Sequence, residues 1–361
     1  MVFVIRTCMK IARYAYRLSP LGKIAVILAC FVSSLSTLVP ASAQELTNVR
    51  ISVDYRLYGA NAPVAFAQDS GIFKEAGINA IVDGSSGSGD AINRVASGLY
   101  DAAYADIGTL AEFWARNPTQ APKLVMVVLD RSPQSIVSLK KSNIKSVKDL
   151  IGRKVGTSQT DATSRMLPGV LKLNHIPIDK LNLVRVEQRL RDALLVRGDV
   201  DAVVGFDSAI LFNLMTQDIM PDDTNVIYYA DNGFDFYGNG LLVSRRMIET
   251  NPDVVKRLAG ALAKAWIASI QDPKKTITVL AKRDPLIDVE LETKRLQWIL
   301  NNNVVTETTR KNGLGHLDEA KMANGLKTLA SAFELPKVPT VSDLYDPRFL
   351  PPASERMIPS K

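Results

Sequence analysis

The chain has 361 residues, 47% of them hydrophobic and 22% charged, and a formal net charge of +7. This length exceeds what one hydrophobic core usually supports, so we expect one large or two medium globular domains. Residues 1–43 hold five of the 44 basic residues and no acid, and the remaining 39 basic residues nearly balance 37 acidic ones, which argues against a nucleic-acid partner.

The N-terminal segment has the pattern of a secretory signal. Basic residues come first, followed by the apolar run IAVILACFVSSLSTLV and then PASAQ, which predicts a signal peptide over 1–43 cleaved after Ala43. A membrane anchor is the alternative, but serines interrupt the run, which falls short of the roughly 18 to 20 apolar residues a span needs. Lipid attachment at Cys30 is a second alternative, since ILAC loosely resembles a lipoprotein processing site. We expect a periplasmic protein.

Cleavage after Ala43 would remove both cysteines, Cys8 and Cys30. The mature chain would then have neither a disulfide nor a thiol nucleophile, and its stability would come from burial.

From Val49 onward, short apolar runs alternate with amphipathic segments. The first series contains VRISVDY, PVAFAQDSGIFKEAG, INAIVDG, DAINRVASG, YDAAYAD, IGTLAEFWARN and KLVMVVLD. A second, shorter series begins near Val147 and ends with TNVIYYADNG. Strands that alternate with helices of about ten residues predict parallel βαβ units, so we expect two similar α/β lobes.

One sequence unit occurs in both series. GLYDAAYADIG at 98–108 and GDVDAVVGFDS at 198–208 both follow a helical segment, open with glycine and carry Asp-Ala at the fourth and fifth positions. We interpret them as one supersecondary unit used once in each lobe.

The segment after Asn239 predicts a strand followed by helices. Asn251 is a predicted N-cap, Pro252 takes the first helical position, and two further helices are predicted at 288–301 and 317–334. The proline-rich end, 336–361, cannot hold a regular helix and is expected to pack as an extended tail.

Motifs for catalysis or metal binding are scarce. His175 and His316 are the only histidines, and both fall near predicted helix ends, where a surface or capping role is favoured over a metal site or a Ser-His-Asp triad. We therefore expect no enzyme activity, no metal and no cofactor.

Two hydroxyl-rich turns are better candidates for ligand contact. GSSGSGD at 84–90 has the glycine spacing of a phosphate-binding loop, but Asp90 stands where that loop requires lysine. GTSQTDATSRML at 156–167 repeats the order of strand, hydroxyl-rich turn and helix. Both turns are suited to holding the polar end of a ligand, and both are equally explained as helix caps.

Strand ends extend this candidate site. Ligands of open parallel α/β sheets lie beyond the carboxyl ends of the strands, which singles out Asp106 in the first series and Asp207 in the second. Their alternative role is capping the next helix. Tyrosines and phenylalanines cluster near the same ends, as expected for the walls of a small-ligand pocket.

Taken in order, these segments resemble the periplasmic substrate-binding proteins of ABC importers, in the branch for nitrate, sulfonate, taurine and thiamine-precursor pyrimidines. The resemblance covers about residues 48–350. Its carriers are AQDSGIFKEAGIN, GSSGSGDAINRVASGLYDAAYAD, SVKDLIGRKVG, RGDVDAVVGFDS, YGNGLLVS and DLYDPRFL.

The resemblance implies a type II two-lobed fold, each lobe a doubly wound, mainly parallel sheet. Lobe 1 would comprise 44–138 and 238–335, lobe 2 would comprise 139–237, and hinge crossings would lie near 137–146 and 231–239. It also implies a monomer that closes on a small-molecule ligand and delivers it to an ABC permease in the inner membrane.

Carried over by position, the resemblance assigns nine ligand-facing residues: Tyr58, Ser86, Gly87, Ser88, Asp106, Ser158, Thr160, Asp207 and Tyr237. Many family members have tryptophan after the first strand, whereas this chain reads DYRLYGANAPV. Arg56 would pair an anionic head group, while Asp106, Asp130 and Asp207 would favour an amine or a hydrogen-bond-donating heterocycle. We favour an aromatic or pyrimidine-like ligand over an alkyl sulfonate.

Two other classes of function stay open. Some pyrimidine-synthesising enzymes share this fold, although two poorly placed histidines argue against catalysis. A docking protein or sensor domain would instead bind a partner through the outer faces of the lobes.

Overall fold

The computed structural model describes residues 46–359. The expected signal peptide, its cleavage after Ala43 and lipid attachment at Cys30 lie outside the described residues. Within residues 46–359, no helix is both long enough and apolar enough to cross a membrane.

Two five-stranded sheets organise this part of the chain. The first has the order β2-β1-β3-β10-β4 and consists of β1 (Thr47–Val53), β2 (Ile78–Asp83), β3 (Ala102–Asp106), β4 (Lys123–Val127) and β10 (Asn239–Val243). The second has the order β7-β6-β8-β5-β9 and consists of β5 (Gln134–Leu139), β6 (Lys154–Thr157), β7 (Asn182–Arg185), β8 (Ala202–Phe206) and β9 (Thr224–Tyr228). We call the halves built on these sheets lobe 1 and lobe 2.

One strand in each sheet runs against its neighbours. In lobe 1 it is β10, which pairs antiparallel with β3 and β4, and in lobe 2 it is β5, which pairs antiparallel with β8 and β9. The pairs of β1 with β2 and β3, and of β6 with β7 and β8, are parallel. The expected two-lobed α/β fold with mainly parallel sheets is confirmed.

Helices follow the strands in both lobes and dominate after β10. Those before β10 are α1 (Ala62–Asp69), α2 (Ile72–Glu75), α3 (Ser88–Ala96), α4 (Ile107–Arg116), α5 (Ala162–Leu173), α6 (Arg191–Arg197) and α7 (Asp207–Met215). Those after it are α8 (Arg245–Thr250), α9 (Pro252–Gln271), α10 (Pro273–Leu280), α11 (Val289–Ile299), α12 (Glu307–Asn312), α13 (Glu319–Phe333) and α14 (Val341–Leu344). A π-helix, Leu300–Val304, continues α11.

The long helix α9 anchors the core of lobe 1. Pro252 takes its first position as predicted, but the Asn251 side chain makes no capping bond to it and donates instead to the Thr250 hydroxyl. Trp266 is fully buried, and α9 packs on α1 and α10. Two later helices reach lobe 2, because α11 contacts α7 and α13 contacts α5.

The first crossing between the lobes differs from the expectation. Residues 134–139 form β5 in the middle of the second sheet, where Val137 pairs with both β8 and β9. The chain therefore crosses at 128–133 rather than near 137–146. It returns between β9 and β10, at 229–238, close to the expected 231–239.

The repeated sequence unit occupies equivalent places in the two sheets, since it contains β3 in one and β8 in the other. Asp101 accepts a hydrogen bond from the Arg50 backbone N–H at 2.9 Å. Asp201 accepts the same bond from the Lys154 backbone N–H at 2.8 Å. In each copy of the repeat, the aspartate of the Asp-Ala pair thus fixes its strand against the neighbouring parallel strand.

Candidate ligand-binding cleft

The two hydroxyl-rich turns meet between the lobes. The Thr160 hydroxyl donates to the Ser86 carbonyl at 2.5 Å, and the Gly89 N–H donates to the Thr160 carbonyl at 3.2 Å. Gly87 has φ +145°, and a Cβ on it would lie 2.3 Å from the Thr160 carbonyl oxygen. Only glycine permits this backbone conformation and this close approach.

Behind this contact lies a small enclosed space, which we call the inner pocket. Its volume is about 10 Å³, roughly that needed by one water molecule. Lobe 1 supplies five of the lining residues and lobe 2 the other five: Asp54, Tyr55, Tyr58, Gly87, Ser88, Asp161, Ala162, Gln188, Phe206 and Ala209. Both lobes therefore build one site.

Aromatic rings form part of its wall. The rings of Tyr55 and Tyr58 meet edge to face, with centroids 5.7 Å apart, and both residues are buried. Phe206 contributes from the end of β8. Such walls suit a planar or apolar ligand surface.

Two buried carboxylates complete the lining. Asp54 follows β1 and accepts hydrogen bonds from the Asn239 amide at 2.6 Å and the Asn61 amide at 3.4 Å. Burial raises the pKa of Asp54 to about 6. Asp161 caps α5 by accepting from the Ser164 N–H at 2.8 Å, and burial raises its pKa as well.

A third carboxylate, Asp106, lies just behind the pocket. It caps α4 by accepting from the Thr109 N–H at 2.7 Å, and it also accepts from the Gln134 amide at 3.0 Å. Burial, with smaller contributions from the negative charges of Asp161 and Asp54, raises its pKa to about 7. Its backbone N–H donates to the Ser88 hydroxyl, so Asp106 supports a residue that lines the pocket.

Several hydrogen-bond acceptors line the inner pocket. Besides the carboxylates, the side-chain carbonyl oxygen of Gln188 is buried with no partner among residues 46–359. The nearby buried cation, Arg191, is already engaged by Asp192 at 2.8 Å and by the Val204 carbonyl at 3.1 Å. This environment is complementary to N–H or O–H donors on a ligand.

Tyr58 separates the inner pocket from a larger space, the outer chamber, of about 440 Å³. Arg56 and Arg189 line it from opposite lobes, and within residues 46–359 neither forms an ion pair. Of these two spaces, the outer chamber falls in the size range of small-molecule sites and the inner pocket does not.

The structure brings together most of the residues predicted for the site. Tyr58, Gly87 and Ser88 line the inner pocket, while Ser86 and Thr160 form the contact above it. A further set of predicted residues surrounds the pocket without lining it: Asp106, described above, and Ser158, whose N–H donates to the Ser164 hydroxyl.

Two predicted residues lie elsewhere. Asp207 lines a separate cavity of about 110 Å³ beside the second crossing, where it accepts from Tyr228 at 2.9 Å and Trp298 at 2.8 Å. The Tyr237 hydroxyl accepts from the Asp318 N–H at 2.9 Å, at the start of α13. Neither lines the inner pocket.

Sequence reasoning missed Asp54, Gln188 and Ala209. Asp54 directly follows a parallel strand, so the strand-end rule that singled out Asp106 applies to it equally. Gln188 lies in the loop before α6 and Ala209 in the first turn of α7, and no local pattern marks either.

Neither histidine lines the pocket. His175 follows α5 with a left-handed φ of 58°, and His316 lies in the loop before α13. Across residues 46–359, no three or more His, Cys, Asp or Glu side chains are grouped to hold a metal ion.

Solved structures share this architecture. The periplasmic aliphatic sulphonate binding protein SsuA of Escherichia coli aligns with a TM-score of 0.63 and 15% identity, over 83% of this chain and 97% of that one. The alkanesulfonate-binding protein SsuA of Xanthomonas axonopodis pv. citri, bound to MOPS, aligns with a TM-score of 0.61 and 16% identity, over 83% and 99%. The fold is therefore that of the two-lobed periplasmic binding proteins.

Sequence comparison gives the family. A family model described as NMT1/THI5 like matches residues 60–276, and the chain belongs to this NMT1/THI5-like family. A Haemophilus influenzae protein named "Putative thiamine biosynthesis protein" is 28% identical over 176 residues, which are 48% of this chain and 54% of that protein. The match thus spans about half the length of that relative. The resemblance seen in the sequence is confirmed.

Proposed function

We propose that the protein is an extracytoplasmic solute-binding protein that captures a small polar or aromatic molecule between its lobes and delivers it to an ABC permease in the inner membrane. One observation carries this proposal: five residues from each lobe converge on a single pocket, directly beneath the turns where the lobes touch. The pocket has room for about one water molecule in this arrangement, so a larger ligand enters only when the lobes move apart, and it then contacts both lobes at once. Such contacts favour the arrangement in which the lobes are together.

The chemistry of the pocket restricts the class of ligand that can bind. Carboxylates and an unpaired amide oxygen call for hydrogen-bond donors, and tyrosine rings suit a flat ring system. A heterocycle or aromatic amine satisfies both requirements. In the inner pocket, an alkyl sulfonate, the class of ligand in the names of the two structural relatives, would bring only acceptors and negative charge next to Asp54 and Asp161.

Melting curves of residues 44–361 against a panel of pyrimidines, aromatic amines, aromatic acids, sulfonates, taurine and nitrate test the proposal. A ligand at about 100 times its Kd adds about 2.7 kcal/mol and raises the Tm by several degrees. Tyr58→Ala and Asp54→Asn should abolish the shift. Asp253→Asn, on the exposed first turn of α9, should retain it.

A panel with no hit would contradict the proposal. It would favour a docking protein or sensor domain, which works through the outer faces of the lobes, and recovery of a protein partner by those faces would then support that class.

The name of the Haemophilus influenzae relative favours one other function, an enzyme that makes a thiamine precursor. Formation of a pyrimidine product that is lost on substitution of His175 or His316 would support the enzyme. Binding without turnover, unaffected by those substitutions, would support the solute-binding protein.

A further inference from the structure

Helix α11 spans the gap between the lobes. It packs on α10, which packs in turn on α1 of lobe 1, and its other side contacts α7 of lobe 2. The lobes are therefore connected here in addition to the two chain crossings.

A continuous series of hydrogen bonds runs through this helix. Glu292 accepts from the Gly59 N–H of lobe 1 at 2.6 Å. Arg295 donates to the two oxygens of Glu292 at 2.9 and 3.1 Å. The same arginine donates to the carbonyls of Ser208 at 2.6 Å and Ala209 at 3.1 Å, in the first turn of α7. The ion pair thus joins the backbone of one lobe to the backbone of the other.

The pair is buried, with Arg295 only 1% and Glu292 7% exposed. Charges in such surroundings interact more strongly than charges at a surface. Removal of one member would leave its partner as an uncompensated buried charge, which is strongly destabilising. An exposed ion pair on the same helix, Lys294 with Glu290 at 2.8 Å, lacks this property.

The ion pair also touches the walls of the inner pocket. Gly59 follows Tyr58, and the Arg295 guanidinium lies 5.2 Å from the Tyr58 ring centroid. Arg295 also donates to the carbonyl of Ala209, and Ala209 lines the pocket from lobe 2. A Cβ on Gly59 would lie 2.4 Å from the Glu292 carbonyl oxygen, so α11 approaches this loop as closely as glycine allows.

We propose that Glu292 and Arg295 form a clasp, a pair of positioning residues that holds the two walls of the ligand pocket together and sets how much of the protein has its lobes joined. The role assigned to the clasp depends on the proposed ligand-binding function. Because α11 is attached to lobe 1, separation of the lobes requires Arg295 to release the Ser208 and Ala209 carbonyls and the Asn213 side-chain oxygen. It also requires Trp298 of the same helix to release Asp207. The strength of these bonds thus enters the apparent affinity for ligand through the fraction of joined lobes.

The clasp can be tested without a ligand. Residues 46–359 belong to one compact unit, and both cysteines of the chain precede it. The substitutions Lys74→Cys and Lys180→Cys therefore allow one spin label in each lobe. Both positions are exposed and precede β2 and β7, at the ends of the lobes away from the cleft. The distance distribution between the labels reports the separation of the lobes.

Arg295→Met should shift this distribution to longer distances. It should also weaken binding of any ligand found by about tenfold or more, because the apparent Kd rises as the fraction of joined lobes falls. Glu292→Gln, which keeps an acceptor for the Gly59 N–H, should shift it less in the same direction. Glu290→Gln and Lys294→Met, which remove the exposed pair, should leave it unchanged.

Unchanged distances in a folded Arg295→Met protein would overturn the clasp, even if its Tm fell, because a purely structural pair changes stability alone. If Arg295→Met does not fold, the distances in Glu292→Gln decide. A failed ligand panel contradicts only the proposed function, whereas unchanged distances contradict only the clasp.

Discussion

Asp106 of lobe 1 accepts a hydrogen bond from the Gln134 amide of lobe 2 at 3.0 Å. Gln134 is the first residue of β5, so this bond joins the lobes beside the first crossing. A second carboxylate is bound in the same way, since Asp54 accepts from Asn239, the first residue of β10, at 2.6 Å. The carbonyl oxygens of both amides lack a partner among residues 46–359. Either amide can therefore turn its oxygen toward a carboxyl group that has gained a proton.

Stability should fall as the pH rises from 4.5 to 7.5. The pKa values of Asp54, about 6, and Asp106, about 7, lie above their ordinary value of 3.8, so the folded state binds more protons than the unfolded state. The resulting stabilisation is complete below about pH 4 and disappears as the pH passes through 6 to 7, a loss on the order of a few kcal/mol. Urea unfolding across this range measures it. Asp106→Asn should flatten the profile, and a parent profile that is already flat would contradict the assignment.

Gly87→Ala should weaken ligand binding as well as stability. Its φ of +145° is unfavourable for alanine, and the new Cβ would collide with the Thr160 carbonyl of the opposite lobe. Gly98→Ala is the matched control, because Gly98 has φ +79° but nothing within 4 Å of a new Cβ. Calorimetric titration should show reduced affinity for Gly87→Ala only, while both variants lose about 1 kcal/mol or more of stability. Equal affinities would show that the turns need not meet for binding.

Thr160→Val should reduce ligand affinity by the value of one hydrogen bond. The substitution keeps the shape of the side chain and removes the donor to the Ser86 carbonyl, a contact worth about 0.5 to 1.5 kcal/mol. Thr278→Val, whose hydroxyl bonds only the Lys274 carbonyl within α10, should leave the affinity unchanged. If both variants bind alike, the contact between the turns contributes nothing to ligand capture.

Asp207→Asn should affect stability more than ligand binding. One oxygen of its carboxylate accepts from Tyr228 and Trp298 beside the second crossing, and the other accepts from the Ser208 N–H. An amide has one oxygen and can retain only one of these two sets of bonds. We expect a loss of about 1 to 3 kcal/mol in the free energy of unfolding. Because Trp298 lies on α11, its bond to Asp207 also joins this helix to lobe 2, so the Kd should rise, but less than in Arg295→Met. Loss of binding at full stability would instead place Asp207 in the ligand site, as the sequence predicts.

The places of the two hydroxyl-rich turns can be predicted from the sequence, because they follow from local pattern and sheet geometry. Gly87, Ser88 and Thr160 come after parallel strands, and the carboxyl ends of such strands face the cleft. The first crossing is harder to predict. QSIVSL has the pattern of any buried strand, and its membership of the second sheet depends on pairing with distant residues rather than on its own composition.

The direction of a side chain and the burial of a charged pair also cannot be predicted from the sequence. Tyr237 lies near a strand end, yet the position of α13 gives its hydroxyl the Asp318 backbone as a partner. Glu292 and Arg295 have the three-residue spacing of an ordinary surface pair on a helix. Only the packing of α11 against lobe 2 reveals that they are buried.

Because of where β5 and β10 lie in the chain, the sheets of the two lobes become complete at different stages of synthesis. All strands of the second sheet lie within 134–228, so lobe 2 can complete its sheet from one contiguous segment. The first sheet cannot close until β10 inserts between β3 and β4, after the whole of lobe 2 has been made. A chain that ends before residue 239 would thus carry two unpaired strand edges in lobe 1, which are sites for aggregation.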